Sequence, residues 1–253
     1  MLDFLYFCTD MLTKTQALVL KMLKYGDNKF IIDLFTEELG RLSVVATISS
    51  SPRARFCRSL FQPLTLLDIE LDYRQNKSLH PLKSASLAFP FRSIMIEPSK
   101  ICIVMFLSEF LCAVTRDEQR NTLLYHYIRA SLEWLDEKEL HYSNFHLVFM
   151  MRLAKFIGFL PNIDDYSDGC YFDLRSGTFT CDNPFHPDIL QSDDARKMLT
   201  LLRMNYDNMH LFKMSRHERN QLLDVILKYY GIHVPSFPKM HTLDVLRELF
   251  YGC

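Results

Sequence analysis

Between residues 15 and 90 the chain is cut into short runs rich in apolar and β-branched side chains, each closed by a turn signal. This punctuation restricts the fold more than any other feature. QALVLKML is followed by Tyr25-Gly26-Asp27-Asn28, KFIIDLFT by Glu38-Leu39-Gly40, and RLSVVATI comes next. Gly accepts positive φ, and Asp and Asn bond their own backbone, so the pattern predicts three consecutive strands with tight connections. TLLDIELDY and a run from Leu79 to Leu87 add two more strands after a Ser/Arg-rich stretch. Five short strands in so little chain predict a small closed or half-closed barrel over residues 11–92. The OB-fold is the five-stranded barrel most often used on nucleic acid.

Beyond Pro98 the texture changes to long segments with helical spacing: Lys100–Val114, Asn121–Trp134, Ser143–Phe159, Ser192–Met204, Ser215–Tyr230 and Thr242–Phe250. Ser192-Asp193-Asp194 and Thr242-Leu243-Asp244 supply capping chemistry. Residues 161–187 interrupt this pattern with polar residues and with Gly169 and Gly177, and YFD and TFT flank an Arg175-Ser176-Gly177 turn. The expected class is therefore α+β: a five-stranded OB-type barrel, then a mainly helical domain over 93–253 carrying a small hairpin-bearing insertion. Residues 1–10 read as an extension or an upstream start.

A hydrophobic content of 49% supports a real core and argues against disorder. The seven cysteines are odd in number and scattered through apolar runs, as expected of reduced, cytosolic thiols. The start MLDFLYFCTDM lacks the basic region and cleavage site of a secretion signal. The longest apolar stretch, Ile101–Val114, is broken by Ser108 and Glu109, so no membrane span is expected. With seven glycines there is no phosphate-cradling GxxxxGK[ST], no GxGxxG and no GxSxG, and HExxH is also missing. Catalysis is not expected.

The formal net charge of −1 conceals an asymmetry. Residues 11–92 hold 12 Lys/Arg against 7 Asp/Glu, whereas residues 93–253 hold 17 against 21. The barrel is the part suited to a polyanion, since phosphate contacts supply most nonspecific affinity for nucleic acid. The sharpest local feature is Ser49-Ser50-Ser51-Pro52-Arg53-Ala54-Arg55-Phe56-Cys57-Arg58, with three arginines in six residues directly after a strand. Guanidinium forks match phosphate oxygens and stack on bases. Basic runs are commonly just solvated loops. Here Lys21, Lys24, Lys29 and Arg41 stand on the same barrel and favour a DNA-binding surface. Tyr25, Phe30 and Phe35 are either base-stacking platforms or barrel core.

The stretch TQALVLKMLKYGDNKFIIDLFTEELGRLSVVAT, the Ser/Arg loop and FQPLTLLDIEL resemble the start of the RecO family. The closing segment YYGIHVPSFPKMHTLDVLRELF is similar to that family's end. The resemblance implies an OB-fold and a helical domain, binding of single- and double-stranded DNA, and annealing of complementary strands. It also implies cooperation with RecR, contact with the C-terminal tail of single-strand binding protein during RecA loading, and a cytoplasmic, nucleoid-associated location without nucleotide hydrolysis. It places DNA contacts at Arg53, Arg55 and Arg58, and further ones at Lys21, Lys24 and Arg41.

One departure concerns metal. Many members of that family carry a four-cysteine zinc finger in the insertion, whereas this chain has no CxxC and keeps only Cys170 and Cys181 there. Structural zinc needs four N/S ligands, so no zinc is expected. A site built from Cys170, Cys181, His186 and a fourth group is the alternative. Without metal, Tyr171, Phe172, Phe179 and Phe185 would hold the hairpin. In the helical part, Arg152 and Lys155 beside Leu153, Phe156 and Phe159 suggest a groove for an acidic, aromatic-ended peptide. Two other readings stay open: a helical interaction scaffold whose barrel binds a peptide, and a metal-independent hydrolase with an unfamiliar site.

Overall fold

The computed structural model describes residues 11–49, 55–74, 76–182 and 185–248. The extension expected at 1–10 lies outside them. Five strands, β1 (Met11–Lys24), β2 (Lys29–Thr36), β3 (Gly40–Thr47), β4 (Leu66–Tyr73) and β5 (Leu79–Leu87), close into a barrel in the order β1-β2-β3-β5-β4. The expected barrel and the following helical region are thus both present. β1 is long enough to pair with β2 along one edge and with β4 along the other. A register shift between Val19 and Lys21 gives this strand its bend. Closure comes from a parallel pairing of β3 with β5 over three residue pairs, ending at Pro81, which has no N–H to continue the ladder.

The barrel interior holds Ala17, Val19, Ile32, Leu34, Val44, Leu67, Ile69 and Leu71. Sequence alternation is incomplete because parts of the barrel wall are buried on both faces: Leu18, Leu20, Phe35 and Leu66 are also out of solvent. The residues that join them come from α1 (Pro98–Val114) and the start of α2 (Thr122–Glu137). Residues 107–126 and the described residues up to Phe91 form one compact unit. Within it, the Ser108 hydroxyl donates to the Leu20 carbonyl (2.5 Å), the Arg41 amide donates to the Glu118 carbonyl (2.9 Å), and Phe35 meets Tyr125 with ring centroids 6.3 Å apart.

The second compact unit comprises Arg92–Phe106 and the described residues from Tyr127 onward. It contains α3 (Phe145–Leu153), a three-stranded sheet of β6 (Tyr171–Asp173), β7 (Thr178–Thr180) and β8 (Ile189–Leu190), and α4 (Ser192–Arg203), α5 (Arg216–His233) and α6 (Leu243–Glu248). α3 stops short of the expected Phe159, and Gly158 at φ +90 marks the reversal beyond it. Two buried polar groups organise the unit's entry. The Asp136 carboxylate accepts the amides of Arg92, Ser93 and Ile94. The Lys100 ammonium, its side chain 1% exposed, donates to the Ser93 hydroxyl (2.6 Å) and the Lys138 carbonyl (2.5 Å).

The insertion is a hairpin with β8 added to its edge, turning at Gly177 with φ +70. Its centre is aromatic: Phe172 packs on Phe179 (4.8 Å), Tyr166 meets Phe179 edge-on (5.2 Å), and Tyr229 of α5 approaches Phe172 (6.4 Å). Phe185, expected to help hold the hairpin, is fully exposed. Cys170 is buried, the Cys181 thiol lies 3.3 Å from the Ser167 hydroxyl, and His186 faces Asp173 at 3.5 Å. Among the described residues no group of three or more His, Cys, Asp or Glu side chains is placed to hold a metal ion.

This packing can be tested at a turn and at a buried ring. Gly40 lies at φ +68, and a Cβ there would fall 2.4 Å from the Gln119 backbone carbonyl carbon. Gly40→Ala should cost at least the ~1–3 kcal/mol of a strained left-handed residue, read by urea denaturation. A loss below that range would show that the 118–119 backbone yields. The ring is His146, fully buried, whose pKa burial and the nearby Arg219 charge push down to about 3 from 6.5. The folded state keeps this imidazole neutral, so as pH falls below 6.5 the unfolded chain gains a proton that the folded one refuses. That group then removes stability by up to ~1.4 kcal/mol per pH unit. His146→Gln should lose less stability than the parent between about pH 7 and about pH 5. Equal losses would mean that His146 takes no part in the acid response.

Candidate nucleic-acid interface

The β1–β2 hairpin turns through Tyr25–Asn28, where the amides of Tyr25 and Gly26 both donate to the Lys29 carbonyl (2.9 and 3.2 Å). The Ile48 amide donates to the Asn28 carbonyl (2.9 Å), so the Ser/Arg loop leaves β3 beside this turn. At the other side of the loop Phe56 is 4% exposed and packs edge-on against Phe61 (6.1 Å) in the barrel core. Apolar Phe56 goes in, and the flanking Arg55 and Arg58 stay out. The Arg58 guanidinium lies 5.8 Å from the Phe30 ring centroid, and Phe30 is the register partner of Lys24. Lys24, Lys29, Arg55 and Arg58 are therefore gathered at one end of the barrel.

Tyr25 stands at this end and is 67% exposed, whereas Phe30 and Phe35 are buried. Of the three aromatics, Tyr25 alone presents an open ring for a stacked base, and the other two serve the core. Asp27 is the one carboxylate of the turn. Cys57, exposed in the same loop, has its thiol pKa lowered chiefly by the Ser59 hydroxyl 3.1 Å away. Arg53 lies outside the described residues.

Arg41 occupies a different position. It pairs with Phe35 in the ladder, toward the far end of β2, and its guanidinium donates to Asp33 (3.0 Å) and Thr115 (3.3 Å) with only 15% of the side chain exposed. Asp33 also accepts from the Ser43 hydroxyl (2.6 Å). Lys21 is exposed and is the register partner of Asp33, so that carboxylate neutralises part of its field. Sequence spacing counted Arg41 as one more cation of the surface and missed the acid on the neighbouring strand. A cross-strand Asp is visible only once register is known.

The barrel is electrostatically polarised. A groove of about 520 Å³ between β1, β4 and β5 is lined by Glu37, Glu38, Asp68 and Glu70, with Lys14 the one Lys or Arg among its described lining residues. Glu37 and Glu38 are engaged by His126 (3.1 Å) and Arg120 (2.7 Å) of the same unit. The groove's described lining thus holds more carboxylates than cations, in contrast to the hairpin end.

In the second unit, the Arg152 guanidinium donates twice to the Met204 carbonyl (3.2 and 3.0 Å), at the end of α4. Phe156 stacks on Tyr127 at 4.7 Å, within a set of rings that includes Phe149. Lys155 is exposed. Arg152 is exposed as well, so two of the three residues singled out by spacing face solvent, Arg152 with its guanidinium tied to a helix end, while Phe156 packs with aromatics. No helix among the described residues is long and apolar enough to cross a membrane.

The closed five-stranded barrel with a basic hairpin end, followed by helices, defines an α+β protein of the OB type. Family models described as the recombination protein O N-terminal and C-terminal regions match residues 11–91 and 97–242. The chain is 46% identical to DNA repair protein RecO of Bacteroides fragilis over 241 residues, covering 95% of this chain and all of that protein. It is 43% identical to the RecO of Phocaeicola vulgatus over 240 residues, again 95% of this chain and all of the relative. For the RecO of Porphyromonas gingivalis the identity is 33% over 244 residues, with the same coverage. The chain belongs to the RecO family of DNA repair and recombination proteins.

The geometry separates anchor from contact within a single loop. Phe56→Ala should cost roughly 3–5 kcal/mol in urea unfolding, because it empties a core position. Arg55→Ala and Arg58→Ala should each change stability by less than about 0.5 kcal/mol, as exposed charges do. A large stability loss from either arginine would mean that it, too, holds the loop.

Proposed function

We propose that this protein is a recombination mediator that works by binding rather than by catalysis. The barrel domain, residues 11–92, engages single- and double-stranded DNA and anneals complementary strands. Together with RecR, the protein helps load RecA onto DNA coated by single-strand binding protein. The observation that carries the reading is the convergence of Lys24, Lys29, Arg55 and Arg58 around the exposed ring of Tyr25. Cations that track a phosphate backbone beside an aromatic platform are what sequence-tolerant binding of an unpaired strand requires. Arg53 belongs to the same loop and is assigned to the same surface. Lys21 adds to it at the margin, and Arg41 contributes through its pair with Asp33 rather than by direct contact.

The helical domain, residues 93–253, carries the partner contacts, with exposed Lys155 as the cation for the acidic tail of single-strand binding protein, and with Arg152, also exposed but tied to the Met204 carbonyl, and Phe156 as the residues that hold that surface. The insertion at 161–187 works without zinc and without any other cofactor, its aromatic centre doing the cross-linking that a metal would do. The working location is the cytoplasm, at the nucleoid.

The test of the DNA assignment is an oligothymidylate titration at several salt concentrations. The Lys24→Ala/Arg55→Ala/Arg58→Ala variant should bind more weakly, and the slope of log affinity against log salt should fall by about one for each phosphate that is no longer neutralised. A folded variant with unchanged slope would contradict the assignment. For the insertion, purified protein should carry far less than one zinc per chain by elemental analysis, and its melting temperature should be unaltered in chelator. Stoichiometric zinc would refute the metal-free reading.

A further inference from the structure

The helical unit, which is net acidic, contains a strongly cationic concavity. It has a volume of about 260 Å³ and lies at the N-terminal end of α5, lined by His141, His210, Lys213, Ser215, Arg216 and Arg219 among others. No Asp or Glu is among its described lining residues. We propose that this pocket is a second phosphate-binding point for nucleic acid, separate from the barrel surface. The proposal rests on the DNA-binding reading above and adds a site to it.

Three physical features support a phosphodiester. First, the positive charge is built in. Arg219 is 7% exposed, is held by a hydrogen bond from Nη1 to the Met214 carbonyl (2.6 Å), and its field helps depress the His146 pKa. Arg216 is anchored through Nε to the Arg247 carbonyl (2.5 Å). Both guanidinium groups are thereby fixed before a ligand arrives, which lowers the ordering cost of binding. Second, the one carboxylate in the first turn of the 18-residue α5, Glu218, is absent from the pocket's lining. The nearby Glu218 carboxylate is turned to the Ser215 amide (2.7 Å) and hydroxyl (2.8 Å) in a capping box, so it is committed to the helix.

Third, the lining residues open to solvent, His141, His210, Lys213 and Ser215, are all polar. Met209 is buried, and Phe212 and Met214 are half-buried. A cavity smaller than the ~300–1,000 Å³ of usual small-molecule pockets, with a polar mouth, suits a phosphate and its sugar better than an apolar peptide end group. The sequence HLFKMSRHER, residues 210–219, carries this signal with Glu218 as its only acid.

The test uses the full chain and replaces the exposed residues, leaving the anchored arginines in place. Oligothymidylate is titrated across a salt series with the parent and with His210→Ala/Lys213→Ala. The expected result is a several-fold weaker affinity and a salt slope lower by about one, with an unchanged urea midpoint. In parallel, both proteins are titrated with a short acidic peptide ending in a free carboxylate. If the parent binds DNA and the variant keeps the full slope, the pocket is not a phosphate site. If the variant loses only the peptide, the pocket is a protein-binding site and the proposal is overturned. If the parent itself fails to bind DNA, the reading on which this site rests falls with it.

Discussion

The fold depends on a single strand whose two edges are both used. β1 pairs with β2 from Ala17 to Lys24 and with β4 from Met11 to Leu18, so its residues close the barrel that β3 and β5 complete. Around Ala17–Leu20 the strand is buried on both faces, one toward the barrel interior and one against residues of the 107–126 segment. Leu18, Val19 and Leu20, buried at roughly 1.5–3 kcal/mol each, tie the strand into the hydrophobic core of the barrel unit. The bulge between Val19 and Lys21 then decides which residues of the strand's second half face out. Lys21 and Lys24 reach solvent as a consequence, and the hairpin that they lead into becomes the basic end.

Polarity is distributed over the barrel by the same arrangement. Four carboxylates line the groove between β1, β4 and β5, whereas the hairpin end and the loop after β3 hold Lys24, Lys29, Arg55 and Arg58. Phe56 is the pivot of that loop, because its burial fixes where the adjacent guanidinium groups emerge. The 12 basic and 7 acidic residues of 11–92 are partly interspersed, with Lys14 in the acidic groove, Asp27 in the basic turn and Asp33 paired with Arg41.

Much of this was legible in the sequence, for stated physical reasons. The turn at Tyr25–Asn28, the strands KFIIDLFT and RLSVVATI, and the change to helical spacing after Pro98 all reflect local periodicity and turn chemistry, which a single chain reveals directly. What stayed hidden depends on contacts between distant residues. The pairing of Arg41 with Asp33 requires the β2–β3 register, and the membership of residues 107–126 in the barrel unit requires knowing what covers Leu18, Leu20 and Phe35. α3 ends at Leu153, where the amides of Lys155 and Phe156 turn to the carbonyls of Arg152 and Leu153, and the apolar run through Phe159 masked this end. In the same way, helical spacing placed Arg152 beside Phe156, but not the Met204 carbonyl that occupies the guanidinium.

The central claim is that the hairpin end of the barrel, rather than its acidic side, meets the unpaired strand. Ultraviolet cross-linking of the protein to an oligothymidylate, followed by peptide mapping, tests it most directly. Adducts are expected on Tyr25 and on peptides spanning Lys24–Lys29 and Arg55–Arg58. Adducts confined to the groove around Glu37, Asp68 and Glu70, or none on the barrel at all, would contradict it.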